Sequence, residues 1–336
     1  MSASNESFQA PPAPRTPESK PRGTRPVKLR PFGIAFFALG LLVLGAGIPK
    51  ILVGGISTGI ILAIFGILLF VFSFIPLPAV TESDEPPLSF FDRITGIFYE
   101  PSRVFRNLRA HPRWVGPLVV AIVLTTIYSF AFVQRVTPER IVDYMTSKIA
   151  ELPPPFTPPP SAMEKMKADQ LAEYKNPIQR IEGLVKTSVG LFVVAALVAA
   201  LCMLGVLVFG GRMNFWQALS VVFHVWVPVM ALQKLLGLVI LYLKAPEDLH
   251  PVLHQETTLQ DNLGILMSPA EHPVLFVLLS FIGLTWFYLV WLRAKGLHFA
   301  GTKVSSGAAW GVSITIYILF MLFVTVWTSL FPGFIS

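Results

Sequence analysis

Residues 183–209 read GLVKTSVGLFVVAALVAALCMLGVLVF, an apolar run whose one charged side chain, Lys186, lies near its start. A helix of about 20 apolar residues crosses the hydrocarbon core of a bilayer, so this run is long enough to span it. The run shows none of the alternation between polar and apolar residues that marks the strands of a membrane barrel. It therefore predicts a transmembrane α-helix.

Six other runs have a similar length and composition. They are 31–49, 51–75, 115–133, 215–243, 273–292 and 308–331. Across the chain 54% of the residues are hydrophobic and 13% are charged, and the charged share is about half that of a soluble domain. One soluble core could not bury so much apolar surface. We therefore predict an all-α, polytopic transmembrane helix bundle of about seven spans.

The composition changes along the chain and divides it into four segments. The predicted segments are a disordered, basic, proline-rich tail (1–30), a transmembrane helical hairpin (31–80), an interfacial segment (81–114) and a five-span membrane domain (115–336) with an outer loop (134–182). The tail has no apolar core, so it is not expected to be a signal peptide. Little more than Lys50 separates the two runs of the hairpin. Gly55 and Gly59 form a G-x-x-x-G pattern there, which permits close helix contact.

The interfacial segment is too polar to span a bilayer. After Pro101, Val104, Phe105 and Leu108 recur at helical spacing and form an apolar face. The opposite face is basic and consists of Arg103, Arg106 and Arg109. This pattern is typical of a helix that lies at the membrane surface. The basic face is interpreted either as a docking surface for a cytosolic partner and for anionic lipids, or as part of a lead-in helix that orients the next span.

The distribution of basic residues predicts the orientation of the chain. If the N-terminus is in the cytoplasm, Lys and Arg are concentrated in the cytoplasmic tail, interfacial segment and short loops. This count includes Arg93 in the interfacial segment and Arg293 in an inner loop. The loop 245–272 on the other side contains neither Lys nor Arg. The C-terminus is then outside, and a bacterial inner (cytoplasmic) membrane is expected.

Polar residues within the predicted spans are candidates for function, because burying them in lipid is costly. Lys234, His224 and Gln217 all lie on the run 215–243, and Pro228 is expected to kink it. They could line the path of a transporter or channel. Alternatively, Lys234 extends to the membrane surface and the others bond to neighbouring helices.

No pattern in the sequence indicates catalysis or a bound cofactor. Residues 55–59 match G-x-S-x-G but lie in an apolar run, whereas that hydrolase motif needs a strand, a turn and a helix. His250 and His254 have the spacing of metal ligands, but Pro251 lies between them and no third ligand is evident. Cys202 is the single cysteine. We expect no enzyme, no cofactor, no metal and no nucleic-acid partner, since the basic residues fit a role in orientation.

Four short motifs support a family resemblance. They are Phe90-Phe91-Asp92-Arg93 with Pro101 and Phe105, Trp114-Val115-Gly116-Pro117-Leu118, Gly210-Gly211 with Trp226-Val227-Pro228, and Trp291 through Gly296-Leu297 to Ala308. From about residue 88 onward the chain resembles the Yip-one domain family of Ypt/Rab-interacting membrane proteins, in its bacterial branch.

The resemblance implies a membrane adaptor or organiser without catalytic residues, with Gly116, Pro117 and Pro228 as structural determinants. Its implied partners are membrane lipids, other membrane proteins and further copies of the chain. The eukaryotic members carry an acid and a tyrosine before Gly-Pro-Leu, where this chain has Arg113-Trp114-Val115. A small GTPase is therefore not expected as a partner.

Overall fold

The computed structural model describes residues 24–48, 55–79, 85–151, 157–251, 259, 261–269 and 271–330. Those residues form twelve α-helices, with two short 3₁₀ turns and no extended strand among them, which confirms the all-α prediction. The predicted tail up to residue 23 and His254 lie outside the described residues.

The helices follow one another with short connections. They are α1 (Leu29–Gly47), α2 (Gly55–Phe72), α3 (Phe90–Tyr99), α4 (Pro101–Ala110), α5 (Val115–Val136), α6 (Pro138–Ala150), α7 (Pro160–Lys175), α8 (Pro177–Val208), α9 (Phe215–Leu243), α10 (Pro273–Ser280), α11 (Leu284–Ala300) and α12 (Ser306–Leu330). Five of these described helices, α1, α5, α8, α9 and α12, are long and apolar enough to cross a membrane, and α2 is a shorter apolar helix. The chain is therefore a helical membrane protein.

The sixth predicted span is not a single helix. The prediction of one helix over 273–292 is wrong, because α10 ends at Ser280 and α11 begins only at Leu284. Gly283 between them is fully extended, with φ −154° and ψ 163°. The second helix continues beyond the predicted end to Ala300. The break adjoins a cavity between the helices.

Helices α1 and α2 pack backbone against backbone. The glycines of this contact are Gly33 and Gly40 on α1 and Gly59 and Gly66 on α2. A Cβ atom on Gly40 would lie 2.4 Å from the backbone nitrogen of Ala63, and one on Gly66 would lie 2.4 Å from that of Phe37. Larger residues would force the helices apart, so the glycines permit the close approach. Gly59 takes part as expected, and the next glycine of α2 in the contact is Gly66, seven residues on.

Helix α9 is the centre of the bundle. From Phe215 to Val229 every residue except Trp226 is buried. Helices α3, α4, α5, α8 and α11 pack around it. An aromatic cluster fills the space beside its first half: the ring of Trp114 lies 6.4 Å from Trp216 and 5.2 Å from Phe192. A helix buried on nearly all sides positions the neighbouring helices rigidly.

Candidate functional site: a basic helix face and a cavity beside a broken helix

Local sequence signals set the bounds of α3 and α4. The side chain of Ser89 caps α3 by accepting a hydrogen bond of 3.1 Å from the backbone N–H of Asp92. Pro101 occupies the first turn of α4, where its missing N–H costs no helical bond. The apolar residues of α4, Val104, Phe105 and Leu108, are each at most 1% exposed. Helix α4 is therefore fixed against α9 and α11 along its apolar face.

The predicted basic face of α4 is present on its exposed side. Arg103, Arg106 and Arg109 are all exposed, and we call them the arginine face. Arg103 pairs with Glu100 at 3.2 Å. Arg109 donates two hydrogen bonds, of 3.2 and 2.8 Å, to the carbonyl oxygen of Phe299 at the end of α11. The guanidinium of Arg106 lies 5.8 Å from the centre of the Phe299 ring. The predicted separation of faces is thus observed, and docking remains a prediction.

Arg93 was counted among the inner-loop charges, but the structure buries it. It is 5% exposed, and its Nε and Nη1 atoms have no hydrogen-bond partner among the described residues. Burial, and secondarily the charge of nearby Arg113, lower the pKa of this guanidinium. Its distance of four residues from the buried Ile97 is the signal that could have placed it on the inner face of α3.

Gln217 links two helices at the start of α9. Its amide donates a hydrogen bond of 2.7 Å to the carbonyl oxygen of Arg109, and its oxygen accepts one of 2.8 Å from the backbone N–H of Asn214. The second bond completes a capping box. This geometry gives Gln217 a structural role in joining α4 to α9.

His224 and Lys234 lie further along α9 and are both buried. His224 donates from Nδ1 to the carbonyl oxygen of Ser220 at 2.7 Å, four residues earlier on the same helix. The ammonium group of Lys234 lies 4.5 Å from the centre of the Tyr128 ring on α5. Neither residue lines the cavity beside the break between α10 and α11. A common path through Gln217, His224 and Lys234 remains a prediction.

The structure also places the three residues that the family resemblance singled out. A Cβ atom on Gly116 would lie 2.7 Å from the ring of Phe90, so glycine allows α3 to approach the start of α5. Pro117 is buried in the first turn of α5. Pro228 is buried within α9, which continues through it.

The break between α10 and α11 lies near the middle of the bundle. Ser313 on α12 bonds to Val290 and Arg293, whereas Phe281 contacts Tyr317 further along α12. Residue numbers on α12 thus rise as those on α11 and α10 fall, so α10 and α11 together run antiparallel to α12. Tyr317 is in the middle of α12, and the break lies at its level.

Groups distant in sequence satisfy the backbone polar atoms at the break. Asp261 accepts a hydrogen bond of 3.2 Å at its carbonyl oxygen from the N–H of Leu284, and one of 2.8 Å at Oδ2 from the N–H of Thr285. The hydroxyl of Thr285 also donates to Oδ2. The N–H of Leu263 donates to Ile282 at 2.9 Å. Irregular backbone within a membrane bundle is stable only with such internal partners.

A cavity of about 410 Å³ adjoins the break. Its walls come from α9, from the segment around Asp261, and from α10, α11 and α12. Polar groups on the wall belong to Gln233, Asp261, Asn262, Ser280 and Thr285. The aromatic residues on the wall are Phe276, Phe281, Trp286 and Phe320. The predicted outer loop 245–272 therefore contributes residues that reach the level of mid-bundle. No sequence pattern had indicated this site.

These helices fall within one recognised sequence family. Residues 95–328 match the family model of the Yip1 domain. The chain belongs to the Yip1 domain family. The Yip1 domain contains the arginine face, the central helix α9 and the broken helix, whereas α1 and α2 precede it. No curated protein and no solved structure matches the chain.

Proposed function

We propose that this Yip1-domain protein is an adaptor or organiser in the membrane, acting through protein and lipid contacts rather than catalysis. One observation carries the proposal. The arginine face is exposed on a helix whose opposite face is buried, so its position relative to the bundle is fixed. A basic surface on an ordered helix is suited to an anionic partner, because the backbone that carries it loses no further entropy on binding.

The charges of the arginine face are mostly not neutralised within the protein. Among the described residues only Arg103 has an acidic partner, and that ion pair is exposed on both sides, so it contributes little. Arg109 contacts a carbonyl oxygen rather than a carboxylate. Each basic residue near an anionic membrane surface contributes about 1 kcal/mol to attraction. The partner is therefore expected to be an acidic segment of another membrane protein, held close to anionic lipid.

The proposal places the arginine face in the cytoplasm, at an inner bacterial membrane. Cysteine substitutions at two exposed positions, Tyr99 and Asp248, test the orientation in a Cys202→Ala background. Only the second should react with a membrane-impermeant maleimide in cells whose inner membrane is intact. Labelling of Tyr99→Cys from outside would show that the chain has the opposite orientation.

The adaptor function is tested by crosslinking the tagged full-length chain within its own membrane. The variant Arg103→Gln/Arg106→Gln removes two charges but keeps Arg109, which anchors α4 to α11. The matched control Lys165→Gln/Lys175→Gln removes two exposed charges from α7. We expect the yield of crosslinked partner to fall about tenfold in the first variant only, as for the loss of about 1.4 kcal/mol. Equal yields in both variants would contradict the proposal.

The broken helix favours a second candidate function, that of a transporter or channel. Discontinuous helices near the middle of a bundle form the binding sites of many transporters. The predicted path around Lys234 and His224 is tested by measuring solute flux into proteoliposomes. This function requires that Lys234→Leu abolishes flux while the protein stays folded. Unchanged flux would remove Lys234 from the path.

A further inference from the structure

We propose that the cavity beside the break binds a small organic cation of the ammonium type, with Asp261 as its counter-charge. The cavity has no part in the proposed adaptor function, and the inference does not rest on it. Three features of the wall support this ligand class: its single charge, its aromatic rings and its size.

The charge of the wall is negative. Asp261 is the one ionisable residue among the described residues that line the cavity. Both hydrogen bonds to its side chain fall on Oδ2, and no described donor contacts Oδ1. The helix dipole places a partial positive charge of about half an elementary charge at the N-terminus of α11, so it neutralises the carboxylate of Asp261 only in part. An uncharged Asn or Ser would cap that helix comparably. A cation next to Oδ1 would complete the neutralisation.

The wall of the cavity also carries several aromatic rings. Trp286 lies with its ring centre 4.8 Å from that of Phe281 and 6.0 Å from that of Phe320. All three residues line the cavity together with Asp261. Indole is the most favourable ring for this interaction, and quaternary ammonium groups are typical ligands of such aromatic walls. An anion would meet no Lys or Arg among the described wall residues.

The size and composition of the cavity suit a small molecule. Its volume of about 410 Å³ lies within the range of about 300–1,000 Å³ for ligand pockets. Most of the wall is apolar, and Gln233 and Ser280 add uncharged polar groups. The affinity of an oxygen site for a divalent metal ion rises with the number of charged ligands, and Asp261 is the one carboxylate among the described wall residues. An alkylammonium group matches both the charge and the apolar surface.

The test compares choline with 3,3-dimethylbutan-1-ol, which has the same shape and no charge. Each is titrated into full-length protein in dodecyl maltoside by calorimetry, and the part of the tryptophan fluorescence change that is lost in Trp286→Leu is assigned to Trp286, one of seven tryptophans. Choline is expected to bind and the alcohol to bind at least about tenfold more weakly, as for a difference of about 1.4 kcal/mol. Equal affinities, or no binding of choline, would overturn the proposal.

Two variants assign the effect to Asp261. Asp261→Asn removes the charge but keeps an oxygen that can accept from Thr285, whereas Asp248→Asn removes an exposed charge elsewhere in the same loop. Choline affinity should fall at least about tenfold in the first variant and stay unchanged in the second. If Asp261→Asn does not fold, Trp286→Leu should show the same loss. Full affinity in Asp261→Asn or in Trp286→Leu would overturn the proposal.

A final arm identifies the source of the cation. Choline is titrated in two kinds of nanodisc that contain the same fraction of phosphatidylglycerol, mixed either with phosphatidylcholine or with an uncharged glycolipid, so that the anionic surface charge is equal in both. Weaker apparent affinity in the phosphatidylcholine discs supports occupation by a lipid head group. Equal affinity in both supports a soluble amine.

Discussion

The hydroxyl of Tyr317 donates a hydrogen bond of 2.6 Å to the carbonyl oxygen of Phe281, the residue that directly follows the end of α10. A carbonyl that leaves a helix within the bundle needs such a donor, since lipid supplies none. The bond therefore ties the middle of α12 to the break.

Replacing Tyr317 with Phe should destabilise the protein, because the Phe281 carbonyl loses its donor. We expect a loss of about 1–3 kcal/mol, the cost of a buried polar group left unpaired. The measurement is thermal unfolding in detergent, followed by a maleimide dye that reaches the buried Cys202 only when the fold opens. Tyr242→Phe, at an exposed position on α9, is the control and should unfold like the wild type.

Replacing Gly40 with Ala should separate α1 from α2. The added Cβ would lie 2.4 Å from the backbone nitrogen of Ala63, and backbone cannot move aside as a side chain can. The matched control is Gly45→Ala on the same helix, where a Cβ meets nothing within 4 Å. Disulfide crosslinking of cysteine pairs placed across α1 and α2 should slow in the first variant only. Equal crosslinking rates in both variants would show that the helices do not touch at Gly40.

Replacing Arg293 with Lys should weaken the contact between α11 and α12. The guanidinium of Arg293 is buried and donates at 3.0 Å to the hydroxyl and at 2.7 Å to the carbonyl oxygen of Ser313. An ammonium group cannot reproduce this fork. We expect a loss of about 1.5–3 kcal/mol, the value of hydrogen bonds to a charged group, measured by the same thermal assay. The exposed Arg212→Lys should have little effect.

Replacing Gln217 with Leu should loosen α4 from α9. The change removes the hydrogen bond to the Arg109 carbonyl and half of the capping box. Two such bonds contribute about 1–3 kcal/mol together. Hydrogen exchange should rise across α4 in this variant. It should not rise in the control Gln134→Leu, at an exposed position on α5. If α4 stays protected from exchange in Gln217→Leu as well as in the control, the assigned role of Gln217 is contradicted.

Features set by neighbours in the chain could be predicted from sequence. The two faces of α4 follow from side-chain spacing alone, which places Val104 and Phe105 on the apolar face and Arg103 on the basic one. That the apolar face packs against α9 and α11 is a finding of the structure. The long apolar helices follow from length and composition in the same way.

Features set by distant residues could not be predicted in that way. The run 273–292 is uniformly apolar, and its break depends on Asp261 and Tyr317, which lie outside it. Gly283, flanked nearby by Ser280 and Thr285, was the available signal. The count of Lys and Arg in predicted inner loops likewise could not tell buried from exposed side chains. It included Arg93 and Arg293, which are buried within helices rather than exposed in loops.

The close packing of α1 on α2 has a consequence for how the protein is made. These helices leave the ribosome before the rest of the bundle, and their glycine contact needs no residue from it. Helices that are each stable in lipid associate once both have been inserted. The pair can thus assemble while synthesis continues, and α8 later docks on a preformed surface through the contact of Phe192 with Phe65.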